Sequence, residues 1–176
     1  LEIEGTRIDI RRHVSSFFQG NRFLLRDLVA HVADQIPRGS QVIDLYAGGG
    51  LFALAAGRLR DARVTAVEGD RLAAADLAAN AGSDPSITVV HRAVEDFVQT
   101  APRGADVLIV DPPRTGMSKE AAERLAGLET PRIVYVSCDP PTLARDARRL
   151  LDAGYRLESL RAFDLFPNTP HVESLA

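Results

Sequence analysis

From residue 42 onward, short unbroken apolar runs alternate with stretches whose apolar residues recur at helical spacing. The runs Val42–Tyr46, Val64–Glu68, Ile87–Val90, Val107–Val110, Arg132–Val136 and Tyr155–Phe163 read as six successive strands. Between them, Leu51–Leu59, Arg71–Ala81, Lys119–Leu128 and Pro141–Ala153 read as helices. Ahead of this rhythm, Ile3–Arg12 alternates apolar and polar side chains as a half-buried strand or ribbon does. Phe23, Leu24, Leu28, Val29, Val32 and Ile36 then mark one face of a helix over Asn21–Ile36, which Pro37-Arg38-Gly39 ends. His171–Ala176 again alternates and reads as the start of a strand. Continuous apolar strands separated by helices are what a parallel sheet covered on both faces requires, so the pattern predicts a doubly wound α/β domain. Residues 1–38 form a strand and helix lead-in and 39–176 the α/β unit itself, with no internal repeat or low-complexity tract.

At 176 residues, 45% hydrophobic and 26% charged, the chain has the size of one domain and the composition of a folded one. Its one cysteine excludes an intrachain disulfide and any multi-cysteine zinc or iron–sulfur site. His13, His31 and His91 are scattered without ligand spacing, so no metal site is expected. A net charge of -3 neither points to nucleic acid nor excludes it. No apolar run is long enough to span a bilayer, no basic leader precedes one, and the chain opens on Leu1. These features fit a piece of a longer cytoplasmic protein with no membrane contact.

In an open parallel sheet the ligand crevice lies beyond the carboxyl ends of the strands. There the sequence places Gly48-Gly49-Gly50 after the first strand, Glu68 at the end of the second, Asp111-Pro112-Pro113-Arg114 after the fourth and Ser137-Cys138-Asp139-Pro140 after the fifth. The glycines permit a tight turn and close approach of a ligand to a helix N-terminus, and Glu68 can accept both hydroxyls of a ribose. Gly48 to Ala53 fits the dinucleotide pattern G-x-G-x-x-A, which admits NAD as well as S-adenosylmethionine. Asp44 before the turn and the Asp-Pro-Pro segment favour S-adenosylmethionine. Two prolines stiffen the loop that presents Asp111, and Arg114 occupies the place where amino-methylating enzymes carry a stacking aromatic. Cys138 has two readings, a small core residue or a thiol activated at a helix N-terminus, and its place on the ligand edge favours the second.

Five motifs stand in order: Phe17-Phe18-Gln19-Gly20-Asn21, Asp44 to Gly50, Asp111 to Gly116, Val136 to Pro140 and Phe163 to Glu173. Together they resemble the catalytic domain of the RNA 5-methyluridine (uracil-C5) methyltransferases, which act on tRNA and ribosomal RNA, from about Ser16 to Glu173. The resemblance implies a Rossmann-like class I S-adenosylmethionine-dependent methyltransferase domain over 39–176. It also implies Cys138 as nucleophile, Glu173 as proton acceptor, cofactor contacts at Gln19, Tyr46, Gly48, Gly50, Glu68 and Asp111, substrate contacts at Asp111 and Arg114, and an RNA substrate. The family often has cysteine at Ala47 and asparagine at Leu51, so one cofactor contact is lost or replaced here. The RNA-binding barrel, extra subdomain and iron–sulfur cluster found among family members have no counterpart in these residues.

The chemistry agrees with the resemblance. Carbon 5 of uracil is a poor nucleophile, and adding a thiolate at carbon 6 creates an enolate that attacks an electrophilic methyl group. Donors such as Arg114 near the uracil carbonyl stabilise the enolate, and a base must then remove the carbon 5 proton. Competing expectations are an S-adenosylmethionine-binding fragment that is inactive without an RNA-binding domain, and another nucleic-acid C5 methyltransferase. RNA cytosine-C5 enzymes of this fold generally use two cysteines, and this chain has one. Among the remaining polar residues, His171 stands two before Glu173, where it can tune that carboxylate. Arg145, Arg148 and Arg149 with Asp146 and Asp152 read as a solvated helix face, and Arg11, Arg12 and Arg22 as phosphate contacts.

Overall fold

The computed structural model describes residues 1–15, 21–169 and 171–176. In chain order its elements are β1 (Glu2–Ile3), β2 (Thr6–Arg7), α1 (Arg22–Asp34), β3 (Gln41–Leu45), α2 (Leu51–Arg60), β4 (Arg63–Glu68), α3 (Arg71–Ala81) and β5 (Ile87–His91). These are followed by α4 (Val94–Phe97), β6 (Val107–Val110), α5 (Lys119–Ala126), β7 (Arg132–Ser137), α6 (Pro140–Asp152), β8 (Arg161–Phe163) and β9 (Glu173–Leu175). Among the described residues, seven strands form one sheet in the order β5-β4-β3-β6-β7-β9-β8. The first five run parallel, while β9 lies antiparallel between β7 and β8.

The sheet is doubly wound because its strands are apolar on both faces. All four residues of β6 and four of the five of β3 are buried. One face packs against α1 and α2, through Leu25, Leu28, Val29, Val32, Phe52 and Leu54, and the other against α4, α5 and α6, through Phe97, Leu125, Leu143 and Leu150. The lead-in is therefore part of the core: Leu28 and Val32 are fully buried, and truncating Leu28 to alanine should cost about 2–5 kcal/mol. Helix starts are set locally. Asn21, Asp70, Ser118 and Asp139 each accept backbone N–H groups of their helix's first turn, and Pro140 at the first position of α6 has no N–H left unmet.

Two expectations change. The Ile3–Arg12 ribbon is a two-residue hairpin, β1 and β2, turning through Glu4 and Gly5 at positive φ, with Ile3 and Ile8 buried. The strand expected over Tyr155–Phe163 survives only as β8, because β9 offers it three residues to pair with. Leu157 and Leu160 stay exposed. The single turn α4 carries too short a pattern to be read in advance. The alternating end of the chain is a strand as expected, but antiparallel, which sets the geometry of the site.

Candidate active site at the carboxyl ends of the strands

The strand registers bring the motif residues to one edge. Leu45 pairs with Val67 and with Val110, so the next positions along are Tyr46 beside Glu68 on one side and Asp111 on the other. On β7 and β9, Val136 pairs with Leu175 and Ser137 with Ser174. The next position in that antiparallel register sets Cys138 against Glu173.

The first half of the site is the turn between β3 and α2. Tyr46 sits at φ 60, a conformation that a bulky side chain adopts only under constraint, and its hydroxyl donates to Glu95 at 3.0 Å. Gly48 and Gly50 follow at φ 55 and 92. A Cβ on Gly50 would stand 2.6 Å from Leu77 Cδ1, itself fully buried, so Gly50→Ala combines left-handed strain with a clash and should destabilise the fold by about 1–3 kcal/mol in denaturant titration. One Glu68 oxygen accepts the Gly48 N–H and the other the Asp70 N–H, both at 2.7 Å. These bonds orient the carboxylate, and because it has about four acceptor positions it retains capacity for a diol. The turn is braced from α3: Asn80 donates to the Gly49 carbonyl at 2.8 Å and exchanges two hydrogen bonds with the Arg11 backbone, while Asp76 accepts the His13 N–H.

Asp44, under this turn, is fully buried and neither of its oxygens makes a hydrogen bond among the described residues. Loss of water pushes its carboxyl up to about 8, an effect that the nearby Ala53 amide only partly offsets and the Glu68 charge reinforces. The folded chain thus holds a proton that the unfolded chain releases above its ordinary value near 4, and stability falls as pH rises from about 4 to about 8. Asp44→Asn should make that slope shallower. Its gain in melting temperature over the parent, without added ligand, should be larger at pH 8 than at pH 5.

The second half joins β6, β7 and β9. Asp111, at the end of β6, is held well above the usual carboxylate range by loss of water, then by the charges of Glu173 and Asp44. Glu173 is 1% exposed, and Cys138 is half-buried between elements. Burial, then Glu173, pushes the Cys138 thiol up, Asp111 adds to this, and the positive charge of Arg114 opposes it. Electrostatic neighbours thus run in a continuous line from Glu68 through Asp44, Asp111 and Glu173 to Cys138.

The structure gathers Tyr46, Gly48, Gly50, Glu68, Asp111, Arg114, Cys138 and Glu173 along this edge, whereas Gln19 lies outside the described residues. Two readings are corrected. The thiol's proton affinity is raised rather than lowered, by burial and then by Glu173. Arg145 and Arg149 are not simply a solvated face, since both pair with Asp146, which is fully buried; only Arg148 forms an exposed pair, with Asp152. His171 packs edge-on against Phe166, with ring centroids 6.4 Å apart. Sequence reasoning passed over Asn80, whose partners Gly49 and Arg11 lie far along the chain, and read Asp146 as solvated although it is buried against Tyr135 and Met117.

A profile of the family described as tRNA (Uracil-5-)-methyltransferase matches residues 1–175. The chain belongs to this family. Among curated members, an uncharacterized RNA methyltransferase of Thermotoga maritima is 42% identical, the match covering 91% of this chain and 37% of that protein. The 23S rRNA (uracil(1939)-C(5))-methyltransferase of Yersinia enterocolitica is 35% identical over 99% of this chain and 40% of its own length. The crystal structure of the Pyrococcus abyssi tRNA (uracil-54, C5)-methyltransferase, solved in complex with S-adenosyl-L-homocysteine, superposes with a TM-score of 0.83 at 32% identity, covering 96% of this chain and 42% of that one. The chain thus spans about two fifths of the curated relatives it matches. Its fold is the Rossmann-like class I methyltransferase fold. No helix among the described residues is long and apolar enough to cross a membrane.

Proposed function

We propose that this uracil-C5 methyltransferase family member supplies the catalytic domain for S-adenosylmethionine-dependent methylation of uridine C5 in tRNA or ribosomal RNA, with Cys138 as nucleophile and Glu173 as base. The observation that carries the reading is the β7/β9 register, which sets Glu173 against Cys138 from a strand 35 positions further along the chain. A core cysteine needs no buried carboxylate beside it, since that charge raises the cost of the thiolate. A nucleophile whose adduct must lose a proton needs a base at that place.

The residues of the β3–α2 turn fit the cofactor. Glu68 is oriented for a ribose, Gly48 and Gly50 leave the backbone open to close approach, and the carboxyls of Asp44, fully buried, and Asp111, partly exposed, favour a cationic ligand over a neutral one. S-adenosylmethionine, when bound, supplies an electrophilic methyl group. Cys138 thiolate adds to carbon 6, the ring electrons move onto the carbonyl oxygen, and Arg114 offers a positive charge to that oxygen. Once carbon 5 carries its methyl group, Glu173 takes the carbon 5 proton, the ring double bond re-forms and the carbon–sulfur bond breaks, returning Cys138 as thiolate. The raised proton affinity of the resting thiol means it must be deprotonated as substrate binds, and methylation should accelerate with rising pH through the neutral range.

Calorimetry tests the cofactor half: S-adenosylhomocysteine should bind in preference to NAD, and Glu68→Ala should weaken it by about 1–3 kcal/mol. Binding of NAD with none of S-adenosylhomocysteine would overturn the reading. A second reading, in which this domain binds cofactor but acts only with further RNA-binding regions, is favoured by the two-fifths span of the relatives. Cofactor binding without methylation at high RNA concentration would select it.

A further inference from the structure

The loop that carries Arg114 has little freedom of its own. Its backbone is fastened at four points to α6, the helix that begins two residues after Cys138. Thr142 Oγ1 donates to the Arg114 carbonyl at 3.1 Å, and Arg145 Nη2 donates to the Thr115 carbonyl at 2.8 Å. The Met117 N–H donates to Asp146 Oδ2 at 2.9 Å, and the Met117 carbonyl faces both Arg145 and Arg149 at 3.4 and 3.5 Å. Gly116 turns at φ 71 against the same residues, where any Cβ would run into Thr142, Arg145 and Asp146.

Asp146 is the centre of this arrangement. It is fully buried, and besides Met117 it accepts from the Tyr135 hydroxyl at 2.7 Å, Arg145 Nε at 2.9 Å and Arg149 Nη1 at 3.0 Å. Four donors occupy the whole acceptor capacity of a carboxylate, two of them charged and therefore strong. Tyr135 belongs to β7, three residues before Cys138. One side chain thus joins the strand that delivers the nucleophile, the helix that follows it and the loop that carries the cation.

We propose that Asp146 is a positioning residue for the reaction: by clamping residues 114–117 onto α6 and β7, it keeps the loop that carries the Arg114 charge beside the start of α6, next to Cys138. The inference rests on Cys138 being the nucleophile, and it assigns Asp146 no contact with substrate. The groups facing the thiol are Glu173 from β9, Asp111 from the end of β6 and Arg114. Two of these are acidic and only Arg114 is cationic, so loosening its loop leaves the sulfur with carboxylates alone and disfavours the thiolate.

Cys138 is the only cysteine in the 176-residue chain, so the pH dependence of its alkylation by iodoacetamide reads this directly. Arg114→Met should move the midpoint upward by roughly one pH unit. Asp146→Asn should move it in the same direction while the chain still melts cooperatively, and Arg114→Met/Asp146→Asn should move it no further than Arg114→Met alone. Should Asp146→Asn fail to fold, Thr142→Val cuts only the Arg114 carbonyl bond and should give a smaller upward shift. An Asp146→Asn chain that melts earlier with an unmoved midpoint, a double variant whose shift is the sum of the two, or an unmoved Thr142→Val midpoint would overturn the proposal. The assay uses neither RNA nor cofactor. If the shifts appear but Cys138→Ala still methylates RNA, the proposed function fails and the positioning role in the reaction fails with it, leaving only the hold of Asp146 on the Arg114 loop; unmoved midpoints with an inactive Cys138→Ala overturn the Asp146 proposal alone.

Discussion

Replacing Cys138 by alanine should end RNA methylation and with it every covalent protein–RNA species, because no other side chain in the site can add to carbon 6 and leave again. The expected loss is complete within the sensitivity of tritiated-methyl transfer, with RNA supplied at high concentration. Cofactor binding should be unchanged, since Glu68, Gly48 and Asp44 lie at the other end of the line of carboxylates. The variant removes a single half-buried sulfur atom, so its melting temperature should fall little. Residual methyl transfer by Cys138→Ala above the no-enzyme background would refute covalent catalysis while leaving the fold and the cofactor site as described.

Glu173→Gln has the second largest effect, and it blocks a different step. The amide has nearly the shape of the carboxylate and preserves the β7/β9 and β8/β9 pairing around it. It cannot take the carbon 5 proton, so turnover should fall by about 10²–10⁴-fold. Attack and methyl transfer remain possible. Removing the Glu173 charge also lowers the cost of the Cys138 thiolate, so adduct formation should be as fast as in the parent or faster. The combination predicts a single-turnover burst followed by a stalled complex. A slow variant without a burst would place Glu173 before methyl transfer rather than after it.

How much of this was legible in the sequence follows from what kind of interaction each feature depends on. The strand-helix rhythm from Val42 to Ala153 was readable because parallel strands buried on both faces are written as unbroken apolar runs, and the caps Asn21, Asp70, Ser118 and Asp139 mark helix starts within three residues. The placement of Gly48, Glu68, Asp111 and Cys138 along one edge was readable because parallel strands deliver their carboxyl ends to the same side of a doubly wound sheet. What could not be read depends on pairing partners far away in the chain. The antiparallel insertion of β9 between β7 and β8 decides that Glu173 meets Cys138, and no local pattern encodes that order. Tyr155–Phe163 alternates like a strand but forms only β8 because its neighbour is short. Asp146 looks like one member of an arginine-rich helix face, and only the packing of residues 114–117 against α6 reveals it as a buried anchor. The net direction of the Cys138 thiol was misjudged for the same reason: the helix start is local, whereas burial and Glu173 come from tertiary structure.

The central claim, that Cys138 forms a covalent bond to the uracil ring which Glu173 resolves, is tested most directly by trapping the intermediate. The Glu173→Gln chain is incubated with uridine-containing RNA and S-adenosylmethionine carrying a labelled methyl group, denatured, digested and mapped by mass spectrometry. The account predicts a peptide containing Cys138 joined through its sulfur to a uridine that bears the labelled methyl group, absent from the Cys138→Ala/Glu173→Gln control. Unmodified Cys138 peptide alongside freely released methylated RNA, or the nucleotide attached to any other residue, would contradict it.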